Sequence, residues 1–264
     1  MKYGFIGLGN MAGAIVAGMS KSADFKNDAI YGFNRSPEKT EKLRESCGLV
    51  PRADAAELVN AVDAVVLAVK PQVLPDVIDI VAAELRPGQP VITIAAGKSL
   101  EWYAGRLPEG APVVRVMPNI NARAGCAVSA ICGNAAASAG DLETAERIFS
   151  AVGKTYRIDE KMFPAFSAIG GASGAFVLLY IDALADAGVR AGFPRPFAVE
   201  LATQTVLGTA RLLEQSGEHP IALMNTICSP GGTTIEGVLK LKELGFESAV
   251  QQGVAAIIEK DGRL

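Results

Sequence analysis

The stretch that most constrains this chain is its opening. An apolar run at residues 3–6 leads directly into Gly7-Leu8-Gly9-Asn10-Met11-Ala12, and a helical pattern follows over residues 11–22. The spacing G-x-G-x-x-[GA] between a strand and a helix leaves few folds open. Gly7 permits a tight turn, Gly9 lets a phosphate approach the backbone without meeting a Cβ, and Ala12 keeps helix and strand close. The helix start then offers unpaired amides and the positive end of its dipole to an anion. A turn of this kind predicts a dinucleotide pyrophosphate seated over a parallel sheet.

The rest of the first half agrees. Apolar or β-branched runs at 29–33, 64–69, 90–94 and 112–116 alternate with helical stretches at 37–46, 53–60, 72–85 and 99–106. Most of these runs lack polar alternation, as strands covered on both faces require. Such alternation predicts a mostly parallel, doubly wound sheet. A strand near 125–131, a helix near 138–151 and a strand at 154–158 complete it. Past residue 160 the strand signals stop. Apolar residues then recur at helical spacing through 162–190, 195–216, 219–228, 233–244 and 246–260, punctuated by Pro194, Pro196, Pro230-Gly231-Gly232 and Gly245. The fold class expected is α/β, a Rossmann-type doubly wound sheet over residues 1–158, followed by an all-α domain over 159–264.

Composition narrows the function. Half of the 264 residues are apolar and only 20% are charged, so the chain can bury enough surface to fold and leaves apolar surface for a partner subunit. With 25 basic and 28 acidic residues the formal charge is −3, which gives no basic face for nucleic acid. The single histidine, His219, excludes any metal site or catalytic dyad that needs two imidazoles, and its place before Pro220 reads as a helix start. Cys47, Cys126, Cys132 and Cys228 form no CxxC pair or zinc spacing, so no metal is expected. Reduced thiols and an N-terminus without signal-peptide layout point to the cytoplasm. Residues 162–181 form a run of 20 without a charge, long enough to span a bilayer. Pro164, Gly170, Gly171 and Gly174 within it argue instead for a buried helix at a subunit interface, and no membrane is expected.

Two further segments carry chemistry. The second strand ends Phe33-Asn34-Arg35-Ser36-Pro37, with no acid before Glu38, whereas an NAD site usually ends this strand in Asp or Glu. The Arg35 guanidinium and the Ser36 hydroxyl suit a 2′-phosphate, so NADP is favoured, as NADPH, with NADH possible. Near the other end, Ser229-Pro230-Gly231-Gly232-Thr233-Thr234 precedes a helical pattern through Ile235, Val238 and Leu239. Free amides at Gly232 and Thr233, with the Ser229 or Thr234 hydroxyl, would seat a carboxylate; taken alone, the segment also reads as an ordinary helix cap.

Together these segments resemble the pyrroline-5-carboxylate reductase family of proline biosynthesis. The resemblance rests on residues 4–12, on Ala68-Val69-Lys70-Pro71-Gln72, on Ala183-Leu184-Ala185-Asp186-Ala187-Gly188-Val189, and on residues 229–234, its most specific element. It covers essentially the whole chain. It implies reduction of the ring C=N of 1-pyrroline-5-carboxylate by NAD(P)H. It also implies a helical dimerisation domain like the C-terminal domain of 6-phosphogluconate dehydrogenase, hence a homodimer or a higher assembly built on one. By position, Gly7, Leu8, Gly9, Asn10 and Met11 would meet the pyrophosphate, and Asn34, Arg35 and Ser36 the adenosine phosphate. Ala68, Val69, Lys70 and Pro71 would lie along the cofactor, with Met117, Pro118 and Asn119 nearer the nicotinamide. Ser229, Gly231, Gly232, Thr233 and Thr234 would hold the substrate, and the Thr234 hydroxyl would bond the ring nitrogen as the catalytic contact. The chain departs from the family pattern at Ile120-Asn121, where Thr-Pro is usual, at Gly171-Ala172-Ser173-Gly174-Ala175, and at Ala55.

Three other readings stand beside this one. A β-hydroxyacid dehydrogenase needs a lysine early in its helical domain, and no lysine lies between Lys161 and Lys240. A reductase of another imine and a non-catalytic NADP-binding sensor share the dinucleotide turn; kinetics and turnover separate them. Titration of Arg35→Ala with both nucleotides checks the phosphate assignment: NADPH affinity is expected to fall about tenfold or more while NADH affinity holds.

Overall fold

The computed structural model describes residues 1–261. The described residues form two compact units, Met1–Gly171 and 172–261.

The first unit is built on one sheet of eight strands: β1 (Lys2–Ile6), β2 (Ala29–Phe33), β3 (Val50–Pro51), β4 (Ala64–Leu67), β5 (Val91–Thr93), β6 (Val113–Pro118), β7 (Ala127–Gly133) and β8 (Gly153–Arg157). Their order is β3-β2-β1-β4-β5-β6-β7-β8. Neighbours are parallel except β6 and β7. Only the few residues of a 3-10 turn, Ile120–Ala124, separate β6 from β7 before Gly125 reverses the chain at φ +70°. That link is too short for a crossover helix, so the pair must be antiparallel.

Helices cover both faces. Ile15 and Val16 of α1 (Asn10–Lys21), with Ile148 and Phe149 of α6 (Ala139–Ser150), pack on Phe5, Val66, Ile92 and Val114. Leu43 of α2 (Pro37–Cys47) joins that cluster. On the other face, Leu58 of α3 (Ala55–Ala61), Ile78 of α4 (Leu74–Glu84) and Tyr103 of α5 (Leu100–Ala104) pack on Ile6, Val65, Leu67 and Val91. Every residue of β4 is buried, which explains its unbroken apolar run. The edge strand β3 carries no periodic signal because it has two residues, one of them a proline that only an edge tolerates.

Strands end at Arg157, yet the first compact unit runs on to Gly171. A 3-10 turn (Glu160–Met162) leads into α7 (Phe163–Phe166), and buried Phe163 packs on Ala130 and Cys132 of β7. The uninterrupted helix expected over 162–190 is broken by a π-helical segment, Ser167–Ala172. Gly170 lies so close to β7 that a Cβ there would come 2.9 Å from Val128 Cγ2, and its carbonyl accepts a 2.6 Å hydrogen bond from Asn119 Nδ2. The carbonyl is thus engaged by a side chain just past the end of β6.

The second unit holds α8 (Gly174–Arg190), α9 (Arg195–Ser216), α10 (Pro220–Ile227), α11 (Thr233–Glu243) and α12 (Phe246–Asp261). Arg195 pairs with Asp182 and Asp186 across the link between α8 and α9. Gly188 brings that pair close, since a Cβ there would lie 3.1 Å from Ala198 Cβ. His219 caps α10 through Nδ1, which accepts from the Ile221 amide at 3.3 Å. Within one chain these helices bury little: Leu178 is 68% exposed, Leu179 69% and Leu244 74%. Apolar helices with so little cover require another surface.

An ionic cluster closes the first unit. Asp28 is buried between the chain's amino terminus and the Arg147 guanidinium, which also donates to the Tyr3 hydroxyl. Burial raises the Asp28 carboxyl pKa, but hydrogen bonds and charge from both partners outweigh it and hold the group below its ordinary value. A depressed folded-state pKa gives stability that is present above the unfolded value and lost as pH falls through the folded one. Asp28→Asn is therefore expected to lower stability near neutral pH by about 1–2 kcal/mol. It is also expected to flatten the acid limb below about pH 4, as urea titrations at neutral and acid pH would read.

Candidate active site

A cavity of about 420 Å³ opens at the carboxyl ends of β1, β4, β5 and β6. Open α/β sheets place ligands in this crevice. Its walls are Gly9, Asn10, Met11 and Ala12 of the first turn, then Ala68, Val69, Lys70 and Pro71 after β4. Ile94, Ala95 and Ala96 after β5 and Arg115, Val116, Met117 and Pro118 of β6 complete it.

The two glycines of the turn do opposite work. Gly7 has φ +93°, and a Cβ there would sit 2.8 Å from the Ala68 carbonyl oxygen, so this position is closed by the protein itself. Its amide donates to the Phe33 carbonyl at 2.9 Å, which ties β1 to β2. A Cβ at Gly9 would meet no protein atom within 4 Å, although Gly9 lines the cavity. The turn thus leaves a cradle that a side chain would fill. Helix α1 begins at Asn10 with Gly9 as its N-cap, no side-chain cap and no acid in its first turn. Its first amides are left for an anion, and its first turn carries no carboxylate to repel one. The residues fit a dinucleotide pyrophosphate.

Other residues expected at the cofactor divide into those at the cavity and those that build it. Leu8 buries its side chain in the core, while its amide donates to Asn34 Oδ1 at 2.9 Å. Asn34 Nδ2 donates to the Ser36 carbonyl at 3.0 Å, so Asn34 locks the end of β2 to the turn. Arg35 is exposed and has no ion-pair partner among the described residues. Ser36 is the N-cap of α2 without a side-chain cap bond, and Pro37 follows in the first turn. Guanidinium and hydroxyl therefore stand available at this edge. Asn119 does not line the cavity: it is 7% exposed, with Nδ2 on the Gly170 carbonyl and Oδ1 accepting from the Val128 amide at 3.2 Å. Its place is structural, beneath the rim formed by Met117 and Pro118.

Sequence reasoning missed Ile94, Ala95, Ala96, Arg115 and Val116. The rule that ligands sit at strand carboxyl ends points to the residues after β5, and a charge inside the apolar run 113–118 marks Arg115. The Arg115 guanidinium stacks 4.5 Å over the Phe163 ring, and Nη1 donates to Glu160 Oε1 at 2.7 Å. Among the described residues, neither an acidic side chain nor histidine lines the cavity. Nearby, burial pushes the Tyr103 phenol up to about 12, against the opposing Thr93 hydrogen bond and Arg115 charge. Burial and then Glu160 push the Cys132 thiol up to about 12 as well. Neither group changes charge near neutral pH. The arrangement can align a bound nucleotide, and among the described residues the one titratable side chain that both lines it and stands exposed is Lys70.

In the helical unit, Gly231 turns the chain at φ +66° and the Gly232 amide donates to the Ser229 carbonyl at 3.0 Å. A Cβ at Gly232 would fall 2.4 Å from Ser229 Oγ, so the close approach of this hydroxyl needs glycine. Helix α11 starts at Thr233 with Gly232 as N-cap and no side-chain cap, and both Thr233 and Thr234 are exposed. The Gly232 amide, expected to be free, is thus spent on the turn, and the segment presents the first amides of α11, from Thr233 on, beside the Thr233 and Thr234 hydroxyls, with Glu236 also in the first turn.

The contrast between the glycines is directly measurable. Gly7→Ala is expected to destabilise the fold by about 1–3 kcal/mol through strain and collision with the Ala68 carbonyl. Gly9→Ala is expected to leave the melting temperature nearly unchanged while weakening NADPH binding about tenfold or more. Thermal melts and nucleotide titrations of both variants read this out.

Comparison with known proteins agrees with this geometry. Residues 160–264 match the family model described as pyrroline-5-carboxylate reductase dimerisation. Residues 2–97 match the model described as NADP oxidoreductase coenzyme F420-dependent. The chain is 35% identical to the pyrroline-5-carboxylate reductase of Escherichia coli (strain K12), covering 100% of this chain and 98% of that protein. Among solved structures, 1-pyrroline-5-carboxylate reductase from Streptococcus pyogenes is 36% identical with a TM-score of 0.84, covering 100% of this chain and 99% of that one. Pyrroline carboxylate reductase from Plasmodium falciparum, solved with NADP bound, is 28% identical with a TM-score of 0.83, covering 99% and 97%. With a nucleotide cradle at its amino end, a dimerisation module at the other and full-length identity of this order, the chain belongs to the pyrroline-5-carboxylate reductase family.

Proposed function

We propose that the chain reduces the ring C=N of 1-pyrroline-5-carboxylate to proline with NADPH, residues 1–158 holding the dinucleotide and residues 159–264 holding the substrate and a second copy. The observation that carries this reading is the gathering of Gly9, Asn10, Met11, residues 68–71, Met117 and Pro118 around one cavity at the strand ends. NADPH, when bound, supplies the hydride. The turn at residues 7–12 receives the pyrophosphate, and Lys70 stands exposed at the cavity rim. Arg35 and Ser36 receive the 2′-phosphate and set the preference for NADPH over NADH.

A protonated ring imine is already a strong electrophile, so the protein's task is alignment and anchoring. That demand agrees with a cavity lined by neither carboxylate nor histidine. The Thr233 amide, with the Ser229 hydroxyl, seats the substrate carboxylate at the start of α11; the Gly232 amide instead holds the turn closed on the Ser229 carbonyl. The Thr234 hydroxyl bonds the ring nitrogen and is the catalytic contact. No lysine lies between Lys161 and Lys240 to take a proton from an alcohol, so hydroxyacid oxidation has no base in this half.

A second copy of the chain covers the apolar helices. The segment Glu160–Arg190 is long and apolar enough to cross a membrane, but only 11% of its apolar window is buried within one chain. Match to a dimerisation module supports a protein partner over lipid, and four free cysteines fit a cytoplasmic homodimer.

Purified protein given NADPH and 1-pyrroline-5-carboxylate is expected to consume NADPH and form proline; no proline would contradict the reading. Thr234→Ala is expected to cut kcat about tenfold to a hundredfold with little change in melting temperature. Undiminished kcat in that variant would remove the role given to Thr234.

A further inference from the structure

Two cationic residues line the nucleotide cavity, and they differ in setting. Lys70 stands exposed at the rim, whereas the Arg115 side chain is only 14% exposed in the wall. A guanidinium does not give up its proton in a protein, so Arg115 places a fixed positive charge there. Glu160 meets it. Its Oε1 accepts from Arg115 Nη1 at 2.7 Å and from the Leu100 amide at 2.8 Å, and the guanidinium lies 4.5 Å over the Phe163 ring. The pair is therefore held from β6, from the start of α5 and from the turn before α7.

Charge moves during the proposed reaction. A protonated imine and a neutral reduced nicotinamide become a neutral ring amine and a positively charged oxidised nicotinamide. The oxidised nicotinamide therefore carries a positive charge and the reduced one carries none. An uncompensated guanidinium in the wall would repel the oxidised form, and the low dielectric of the wall would strengthen that repulsion.

We propose that Glu160 is a positioning residue that holds Arg115 and neutralises it, so that the cavity wall accepts both the oxidised and the reduced nicotinamide. This rests on the reading that the cavity holds NADP(H), and it concerns the nucleotide alone.

The test compares dissociation constants for NADP⁺ and NADPH, by titration without substrate, in wild type, Glu160→Gln, Arg115→Met and the double variant. Both single changes break the same contact, so a purely structural role shifts the ratio of the two constants in one direction or leaves it unchanged. Charge compensation shifts it in opposite directions. Glu160→Gln keeps an acceptor for the Leu100 amide but strands a positive charge, and is expected to weaken NADP⁺ relative to NADPH about three- to fivefold. Arg115→Met strands a negative charge and is expected to shift the ratio by a similar factor the other way. The double variant returns near wild type. Equal-sign shifts in the single variants, or an unchanged ratio in Glu160→Gln, overturn the proposal, and Glu160→Gln decides alone if Arg115→Met does not fold. Wild-type protein that binds neither nucleotide overturns both this proposal and the cofactor reading; bound nucleotides with an unchanged ratio overturn this one only.

Discussion

The carboxyl end of β1 comes so near the strand beside it that residue 7 has no room for a side chain. Gly7 sits against the Ala68 carbonyl at a backbone angle that L side chains rarely adopt. This contact fixes where the chain turns, and so where α1 starts and where its amides point. Asn34 then pins the end of β2 to the same turn through the Leu8 amide. One residue past Leu8 the crowding ends, because Gly9 faces open space. The fold is closed where the backbone needs support and open where a phosphate needs room.

From that turn the rest of the sheet sets out a binding surface with few titrating groups. The strands β4, β5 and β6 bring small and apolar residues to the crevice, and the groups nearest to acid–base chemistry, Tyr103 and Cys132, stay neutral because burial disfavours their charged forms. Such a site suits a reaction whose electrophile is activated before it arrives. In the helical unit α11 starts without a side-chain cap, and we propose its first amides as the seat for the substrate carboxylate. Its own burial is slight, and the match of residues 160–264 to a dimerisation module accounts for the apolar faces left open in a single chain.

Most of this was legible in the sequence, because the signals were local. The strand runs 3–6, 29–33 and 64–69 were long enough to show as apolar runs, and the helices past 195 were marked off by Pro194, Pro230-Gly231-Gly232 and Gly245. What escaped was set by contacts distant in sequence. Two residues of β3 have no period to read. The π-helical break at Ser167–Ala172 depends on Gly170 meeting Val128 and Asn119 from a different part of the chain. Asn119 itself looked like a ligand-facing residue in a loop, and its amide proved to be spent on the backbone beneath the rim. Arg115 was missed although it is a charge inside an apolar strand, and only the fold shows Glu160 and Phe163 closing around it.

The most direct measurement of the central claim follows the hydride itself. Protein, 1-pyrroline-5-carboxylate and NADPH deuterated at the nicotinamide C4 are incubated, and the amino acid formed is analysed by mass spectrometry and NMR. Proline carrying a single deuterium on the ring carbon that had been doubly bonded to nitrogen is the expected result. Proline without the label, or no proline from folded protein that binds the nucleotide, would contradict it.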